Sequence, residues 1–296
     1  INSLNTLMKI LVIVILILII LKINQNKNLP KVAISCMTRK PIDFKKWLDH
    51  HFNMGIHKIF LRIEETPELK NIIDNHRFKK RINAMYFNTV DKTNNWHTIQ
   101  KRQENFTNQV IDICKNEKID WLFQNIDDDE LLYIKSKNIP VFLKSKNKYE
   151  AIFVPTVEAV YPKVNTNSCF TTDLFFKCDD RALCTSYYGG KSGAKITDTL
   201  KPYGPHKFDI SDEKYYNSTE SEIVILHHES CSFDKWKTKY SNMNVTDKKI
   251  PKGFQFYNDS IREVQTQNPK HMHKFFSKNK VDPYYDNTKT KIKFSY

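Results

Sequence analysis

The sequence predicts an α/β domain: a Rossmann-like, mainly parallel mixed sheet flanked by helices, preceded by a single apolar N-terminal helix. Three observations point there. Strand-like and helix-like runs alternate from Lys31 to Phe87, and a long amphipathic stretch, Asn95 to Asn116, leads directly into the apolar run Trp121 to Ile126. Four consecutive acids, Asp127, Asp128, Asp129 and Glu130, then stand at the carboxyl end of that run. Ligands of open α/β sheets bind at this edge.

Lys31 to Met37 reads as the first strand and Asp43 to Met54 as a helix, because Phe44, Trp47, Leu48 and His51 recur at three- and four-residue spacing and Gly55 supplies a stop. His57 to Ile63 is a second strand, Glu68 to Asn75 a short helix and Ile82 to Phe87 a third strand. The alternation implies parallel pairing with helical crossovers. In the long helix Ile99, Gln103, Phe106, Val110 and Ile113 form one stripe, completed by Cys114. Beyond Pro140 the order loosens. Glu150 to Val154, Phe170 to Lys177 and Glu222 to His227 are strand-like, Gly189 to Pro205 is a glycine-containing loop, and Ser232 to Tyr240 is a helix with Phe233 and Trp236 at core spacing. The expected division is an anchor and spacer over 1–30, one catalytic-size domain over 31–250 and a polar, aromatic extension over 251–296.

With 40% hydrophobic and 12% aromatic residues the chain of 296 residues is rich enough to build a core. Its net charge of +14 is spread over lysines in a sequence also rich in asparagine and isoleucine. No zinc-finger spacing, RNA-binding signature or dense basic stripe accompanies that charge, so no nucleic-acid partner is expected. Leu7 to Ile23 is apolar apart from Lys9 and Lys22 and is followed by no small-x-small cleavage pattern, which reads as an uncleaved, single-pass signal anchor. The expected location is a membrane, type II in the Golgi or endoplasmic reticulum for a eukaryotic source. Lys22, Lys27 and Lys31 against Lys9 favour a cytoplasmic body by the positive-inside rule, but the chain begins with Ile1, which leaves that count open.

The six cysteines contain no CxxC pair, against a structural zinc site. Cys169, Cys178 and Cys184 are close enough for a disulfide, with buried free thiols the alternative. Sequons at Asn105, Asn217, Asn244 and Asn258 allow a glycoprotein, although asparagine-rich sequences generate sequons by chance.

Crowded carboxylates at a buried strand end need a proton or a cation to relieve their repulsion, and hard oxygen ligands suit Mg²⁺ or Mn²⁺, which in turn hold phosphate oxygens. A solvated acidic turn is the plain alternative. Alternation along an extended segment turns residues two apart the same way, which nominates Asp127 and Asp129 as metal ligands and leaves Asp128 facing the other way.

Several motifs in order resemble the GT-A fold glycosyltransferases, family-2-like members with a degenerate W-x-x-x-x-D-x-D-E signature. Trp121 to Glu130 is similar to that signature with one extra residue before the first Asp. Trp47-Leu48-Asp49-His50-His51-Phe52-Asn53-Met54-Gly55-Ile56 resembles the opening segment, and Lys101-Arg102-Gln103 the basic-Gln pair before the aspartates. Ile225-Leu226-His227-His228-Glu229-Ser230 with Ser232-Phe233 to Lys239 resembles L-H-Y…S-F-x-x-(F/W)-x-x-K, and Gly189 to Phe208 a G-K-S…R…H segment. The resemblance spans residues 31 to 241.

It implies a membrane-anchored, metal-dependent enzyme that moves a sugar from a nucleotide-sugar donor to a glycan or glycoprotein hydroxyl. His227 would be the third metal ligand, its imidazole suiting Mn²⁺ better than Mg²⁺, while His228 stands where the family has Tyr. Thr38, Arg39, Glu64, Arg102, Gln103 and Asp128 would contact the donor, Lys191 its phosphates, and His206 the acceptor side. Glu158, which interrupts an apolar stretch, and Asp173 are the candidates for a catalytic base. A metal-dependent phosphohydrolase or nuclease and a non-catalytic basic surface glycoprotein are the competing readings.

Overall fold

A computed structural model describes residues 11–15, 29–88, 96–165, 168–177, 189–241, 243, 255–285 and 291–295. Its first half follows the alternation in the sequence: β1 (Val32–Thr38), α1 (Phe44–Asn53), β2 (Lys58–Glu64), α2 (Leu69–Asp74), β3 (Ile82–Phe87), α3 (Trp96–Asn116) and β4 (Trp121–Phe123). β4, β1, β2 and β3 lie side by side and parallel. α1 forms because Phe44, Trp47, Leu48, His51 and Phe52 make one buried face. It ends at Gly55, whose φ of 91° is open to glycine, and a side chain there would also meet the Pro140 ring at 2.8 Å.

The second half departs from a parallel sheet. β5 (Glu130–Ile134), α4 (Ile139–Ser145), β6 (Ala151–Val154), β7 (Thr156–Ala159), β8 (Leu174–Lys177) and β9 (Lys191–Lys195) are followed by a small hairpin of β10 (Pro202–Tyr203) and β11 (Lys207–Phe208). Then come β12 (Tyr215–Asn217) and β13 (Ile223–His227). The main sheet has the order β12-β6-β9-β4-β1-β2-β3, with β9 antiparallel to both of its neighbours. The expected glycine-rich surface loop therefore contains a central strand. Gly193 is required in it: a Cβ there would lie 2.6 Å from the Phe123 ring.

A second sheet contains β7, β8, β13 and β5 together with β14 (Lys291–Lys293), in the order β14-β8-β7-β13-β5. The chain thus leaves the main sheet at Phe123 and enters the second at Glu130. The acidic cluster is the crossing between them. One apolar core fills the space between the sheets and around α1, and another lies beneath α3 on the opposite face.

The C-terminal segment is helical where the sequence suggested only a polar extension. α5 (Phe233–Ser241), α6 (Gln255–Gln265), α7 (Pro269–Phe276), a π-helical turn (Ser277–Val281) and α8 (Asp282–Tyr285) bury Phe256, Ile261, Val264, Met272 and Phe276 against Phe233, Trp236 and Tyr240. Trp236 Nε1 donates to Ser260 Oγ at 3.0 Å. The extension is consequently packed against α5.

The membrane-anchor expectation is corrected. Among the described residues no helix is long and apolar enough to cross a membrane. Residues 11–15 of the apolar segment are helical and exposed, and the remainder of Leu7 to Ile23 lies outside the described residues. Asn105 and Asn217 are exposed, Asn258 is buried, and Asn244 lies outside the description.

Cys169 pairs with Cys231 across 62 residues, while Cys36 and Cys114 are buried thiols. Cys178 and Cys184, the other partners considered for Cys169, lie outside the described residues. The bridge ties the segment before β8 to the residues just after β13. Removing the cross-link in a Cys169→Ser/Cys231→Ser variant should cost about 4 kcal/mol by loop-closure entropy. Urea unfolding of the two proteins checks this, with the midpoint of the variant expected well below that of the oxidised wild type.

Candidate active site

The crossing between the sheets is a turn held from four directions. Glu130 N donates to Asp127 O at 3.0 Å, and Asp127 N to Glu130 Oε2 at 2.9 Å. Trp47 Nε1, brought in by α1, donates to the carbonyls of Asp127 at 2.9 Å and Glu130 at 2.8 Å. From β1, Ser35 accepts from Asn125 N through Oγ and from Ile126 N through its carbonyl, both at 3.0 Å. His228 N donates to Asp129 O at 2.7 Å. Asn125 itself takes a φ of 48°, a conformation asparagine tolerates better than most residues.

Because the chain turns here, strand alternation does not govern the acids. Asp127 points to β9, where Lys191 Nζ lies 2.8 Å from Oδ2, and Gln103 Nε2 donates to Oδ1 at 3.2 Å. Asp129 points to β13 and α5: His227 Nε2 is 3.7 Å from Oδ1 and Lys239 Nζ 3.3 Å from Oδ2. Asp128 accepts from the Thr38 hydroxyl. Glu130 is fully buried and shares Lys191, at 3.2 Å. The side chains of Asp127 and Asp129 retain 31% and 14% exposure, so this pair, unlike Glu130, stays open to a ligand.

The electrostatics follow from burial opposed by neighbours. Burial pushes the Asp129 carboxyl up, but Lys239 and His227 outweigh it and hold it well below the usual carboxylate range. Burial raises Asp128 to about 6, with Lys235 opposing and the adjacent Asp129 adding to the rise. Burial would lower His227, yet Glu158 and Asp129 on its two sides raise it to about 10. Lys191 is raised too, since Asp127 and Glu130 outweigh its desolvation.

His227 and His228 face opposite ways, as successive strand residues do. His228 is buried between the rings of Phe170 and Phe175 at 5.1 and 5.2 Å, and burial lowers it to about 3. His206 places Nδ1 2.9 Å from Gly190 O, and burial followed by the charge of Lys191 lowers it to about 3.

Other expected residues take different places. Glu158 is fully buried with Oε1 2.9 Å from His227 Nδ1, a position from which it orients the imidazole from behind. The Asp173 carboxylate pairs with Lys293 at the β8–β14 edge. Glu64 is buried and accepts from Arg62 Nε at 2.8 Å and Arg102 Nε at 2.9 Å, so it organises two arginines. Arg39 pairs with Glu65. Sequence reasoning marked Lys239 only as the end of a motif, without a role, and missed Glu229, inside a quoted motif, and Lys280, which carries no sequence signal.

A single divalent ion sets a distance requirement on this donor set. Two ligands each about 2.1 Å from a common ion stand roughly 3 to 4.2 Å apart, depending on the angle between them. The 3.7 Å between Asp129 Oδ1 and His227 Nε2 fits that interval. Asp127 does not join them: no group of three or more His, Cys, Asp or Glu residues suited to a metal occurs among the described residues. Of the expected trio, Asp129 and His227 therefore lie together, while Asp127 turns to Lys191.

No family model matches this chain, and no curated protein matches it. Among solved structures it is similar to HddC from Yersinia pseudotuberculosis complexed with GMP-PN, at 11% identity and a TM-score of 0.33, over 67% of this chain and 93% of that one. It is similar also to 4-diphosphocytidyl-2C-methyl-D-erythritol synthase from Anaerococcus prevotii, at 12% identity and a TM-score of 0.28, over 47% and 62%. A second structure of HddC from Yersinia pseudotuberculosis gives 11% identity and a TM-score of 0.29, over 68% and 77%. Likeness at this level carries no functional argument.

One pH dependence follows from α1. His51 is fully buried, its Nδ1 bonded to Trp47 O at 2.9 Å and its Nε2 accepting from Leu132 N at 3.1 Å, and burial lowers it well below 6.5. The unfolded chain therefore binds this proton first. The stability His51 contributes is complete above about pH 6.5 and falls as pH drops below it, by about 1.4 kcal/mol per unit. Chemical denaturation at pH 7.5 and pH 5.5 should show the loss, and His51→Gln should reduce the difference between the two conditions.

Proposed function

We propose that this protein is a nucleotide-sugar-dependent glycosyltransferase that uses Mn²⁺ or Mg²⁺ and transfers its sugar to a glycan or glycoprotein hydroxyl. The observation that carries the reading is the pair Asp129 and His227, 3.7 Å apart at the crossing of two sheets, with the ammonium group of Lys239 against Asp129 and that of Lys191 against Asp127. A departing nucleoside diphosphate develops negative charge, and a site that answers it needs fixed positive groups close to an open carboxylate. The order of motifs from Trp47 to Lys239 supports the same class.

In this reading Asp129 and His227 hold the cation, which when bound supplies Lewis-acid neutralisation of the diphosphate. Glu158 fixes the His227 ring through Nδ1, leaving Nε2 toward the site. Lys239 and Lys191 supply further positive charge without metal. Asp127, held by Gln103 and Lys191, and Asp128, held by Thr38, line the donor side. Arg102, anchored on Glu64, extends that side along α3.

The test is transfer or hydrolysis across a panel of nucleotide-sugars with Mn²⁺, alongside donor-dependent thermal stabilisation. Asp129→Ala and His227→Ala should each reduce turnover about a hundredfold or more. Unchanged turnover in both variants would remove the metal assignment, and absence of turnover and binding with every donor would remove the transferase reading.

A further inference from the structure

Six side chains, Glu158, His227, Glu229 and Lys280 enclosed and Asp129 and Lys239 partly exposed, form a closed path in which acidic and basic residues alternate. Glu158 Oε1 is 2.9 Å from His227 Nδ1, and His227 Nε2 is 3.7 Å from Asp129 Oδ1. Asp129 Oδ2 is 3.3 Å from Lys239 Nζ, which is 3.3 Å from Glu229 Oε1. Glu229 Oε2 is 2.9 Å from Lys280 Nζ, and Lys280 Nζ is 3.8 Å from Glu158 Oε2, which returns to the start. Glu158 and Glu229 are entirely enclosed, and the Lys280 side chain is only 1% exposed. The path runs through β7, β13, the acidic turn, α5 and the π-helical turn.

We propose that Lys280 is a positioning residue for the candidate active site, the closing member of this charge ring, through which the C-terminal helices fix the geometry of His227 and Asp129. Its ammonium group holds the two enclosed carboxylates, one of which, Glu158, orients His227, while the other, Glu229, anchors Lys239 against Asp129. Removing Lys280 leaves two buried carboxylates facing each other without the cation between them, an arrangement that relaxes by moving them apart. Either movement alters the separation of Asp129 and His227. Lys280 lies in a π-helical turn, and such single-turn insertions in α-helices are frequent at functional sites. Only the metal-binding half of the test rests on the proposed function; the other half does not.

The experiment compares wild type, Lys280→Met and Lys280→Arg at a temperature where circular dichroism shows all three folded. Mn²⁺ alone is titrated by electron paramagnetic resonance, and the His227 ring nitrogens, assigned by their loss in His227→Gln, are followed by NMR without metal. Lys280→Met should bind Mn²⁺ about tenfold more weakly or worse, as loss of an outer support does, and should shift the His227 signals. Lys280→Arg should recover most of both. Lowered thermal stability with unchanged His227 signals and unchanged Mn²⁺ affinity would reduce Lys280 to a structural lysine and overturn the proposal. If wild type binds no Mn²⁺ the metal assignment fails, and the His227 signals alone then decide the role of Lys280. Should Lys280→Met not fold, Glu229→Gln/Lys280→Met, which removes one charge of each sign, carries the same two measurements.

Discussion

The fold is organised around the cost of burying negative charge at a sheet crossing. Glu130, Glu158 and Glu229 are wholly enclosed, and three aspartates adjoin them. A carboxylate left unpaired in such a place costs several kcal/mol, and breaking a buried pair typically costs about 3 to 5 kcal/mol. The compensating cations come from far along the chain: Lys191 from β9, Lys239 from α5 and Lys280 from the C-terminal turn. This explains two departures from a simple alternating α/β fold. β9 inserts antiparallel between β4 and β6, which delivers Lys191, and the C-terminal helices pack back onto α5, which delivers Lys280.

The same constraint separates support from access. Glu130 caps its own turn and holds Lys191, and Glu158 holds His227 and lies beside Lys280. Asp127 and Asp129 stand in front of them, partly exposed. A charged group supported from behind by a buried partner keeps its orientation at little further entropic cost when a ligand arrives. Trp47 serves the backbone in the same manner, since one indole N–H satisfies two carbonyls on either side of the crossing.

Much of the first half was legible in the sequence because its burial is periodic. Phe44, Trp47, Leu48 and His51 mark α1, and the apolar runs of β1, β2 and β4 are enclosed on both faces. The second half resisted for physical reasons. Lys191-Ser192-Gly193-Ala194-Lys195 has one apolar side chain, yet it is a central strand because its glycine lets the Phe123 ring approach and its lysine is neutralised inside. Burial of that lysine depends on Asp127 and Glu130, more than sixty residues away, and no local pattern encodes such a partner. Lys280 is hidden in the same way among 47 basic residues. The helices after Gln255 did carry a signal, Phe256, Ile261 and Val264 and then Met272 and Phe276, but asparagine, lysine and glutamine around them masked its periodicity.

The reading of the acids shows where local rules stop. Period-two alternation paired Asp127 with Asp129, and it holds only while the chain is extended. The hydrogen bond from Glu130 N to Asp127 O makes this segment a turn, so the two carboxylates diverge toward different sheets. Each then acquires its own lysine, and Asp129 lies beside the His227 imidazole. The strand rule did apply at β13, where it sends His227 to the acids and His228 into the Phe170 and Phe175 rings. One histidine was therefore predictable in kind, and its direction was fixed by the register of β13 against β5, which sets His227 opposite Glu130. A one-residue slip of that register would turn His227 away from Glu158 and Asp129 and into the apolar pocket of Phe170 and Phe175. The site consequently depends on strand pairing in the second sheet as much as on the acids that first mark it.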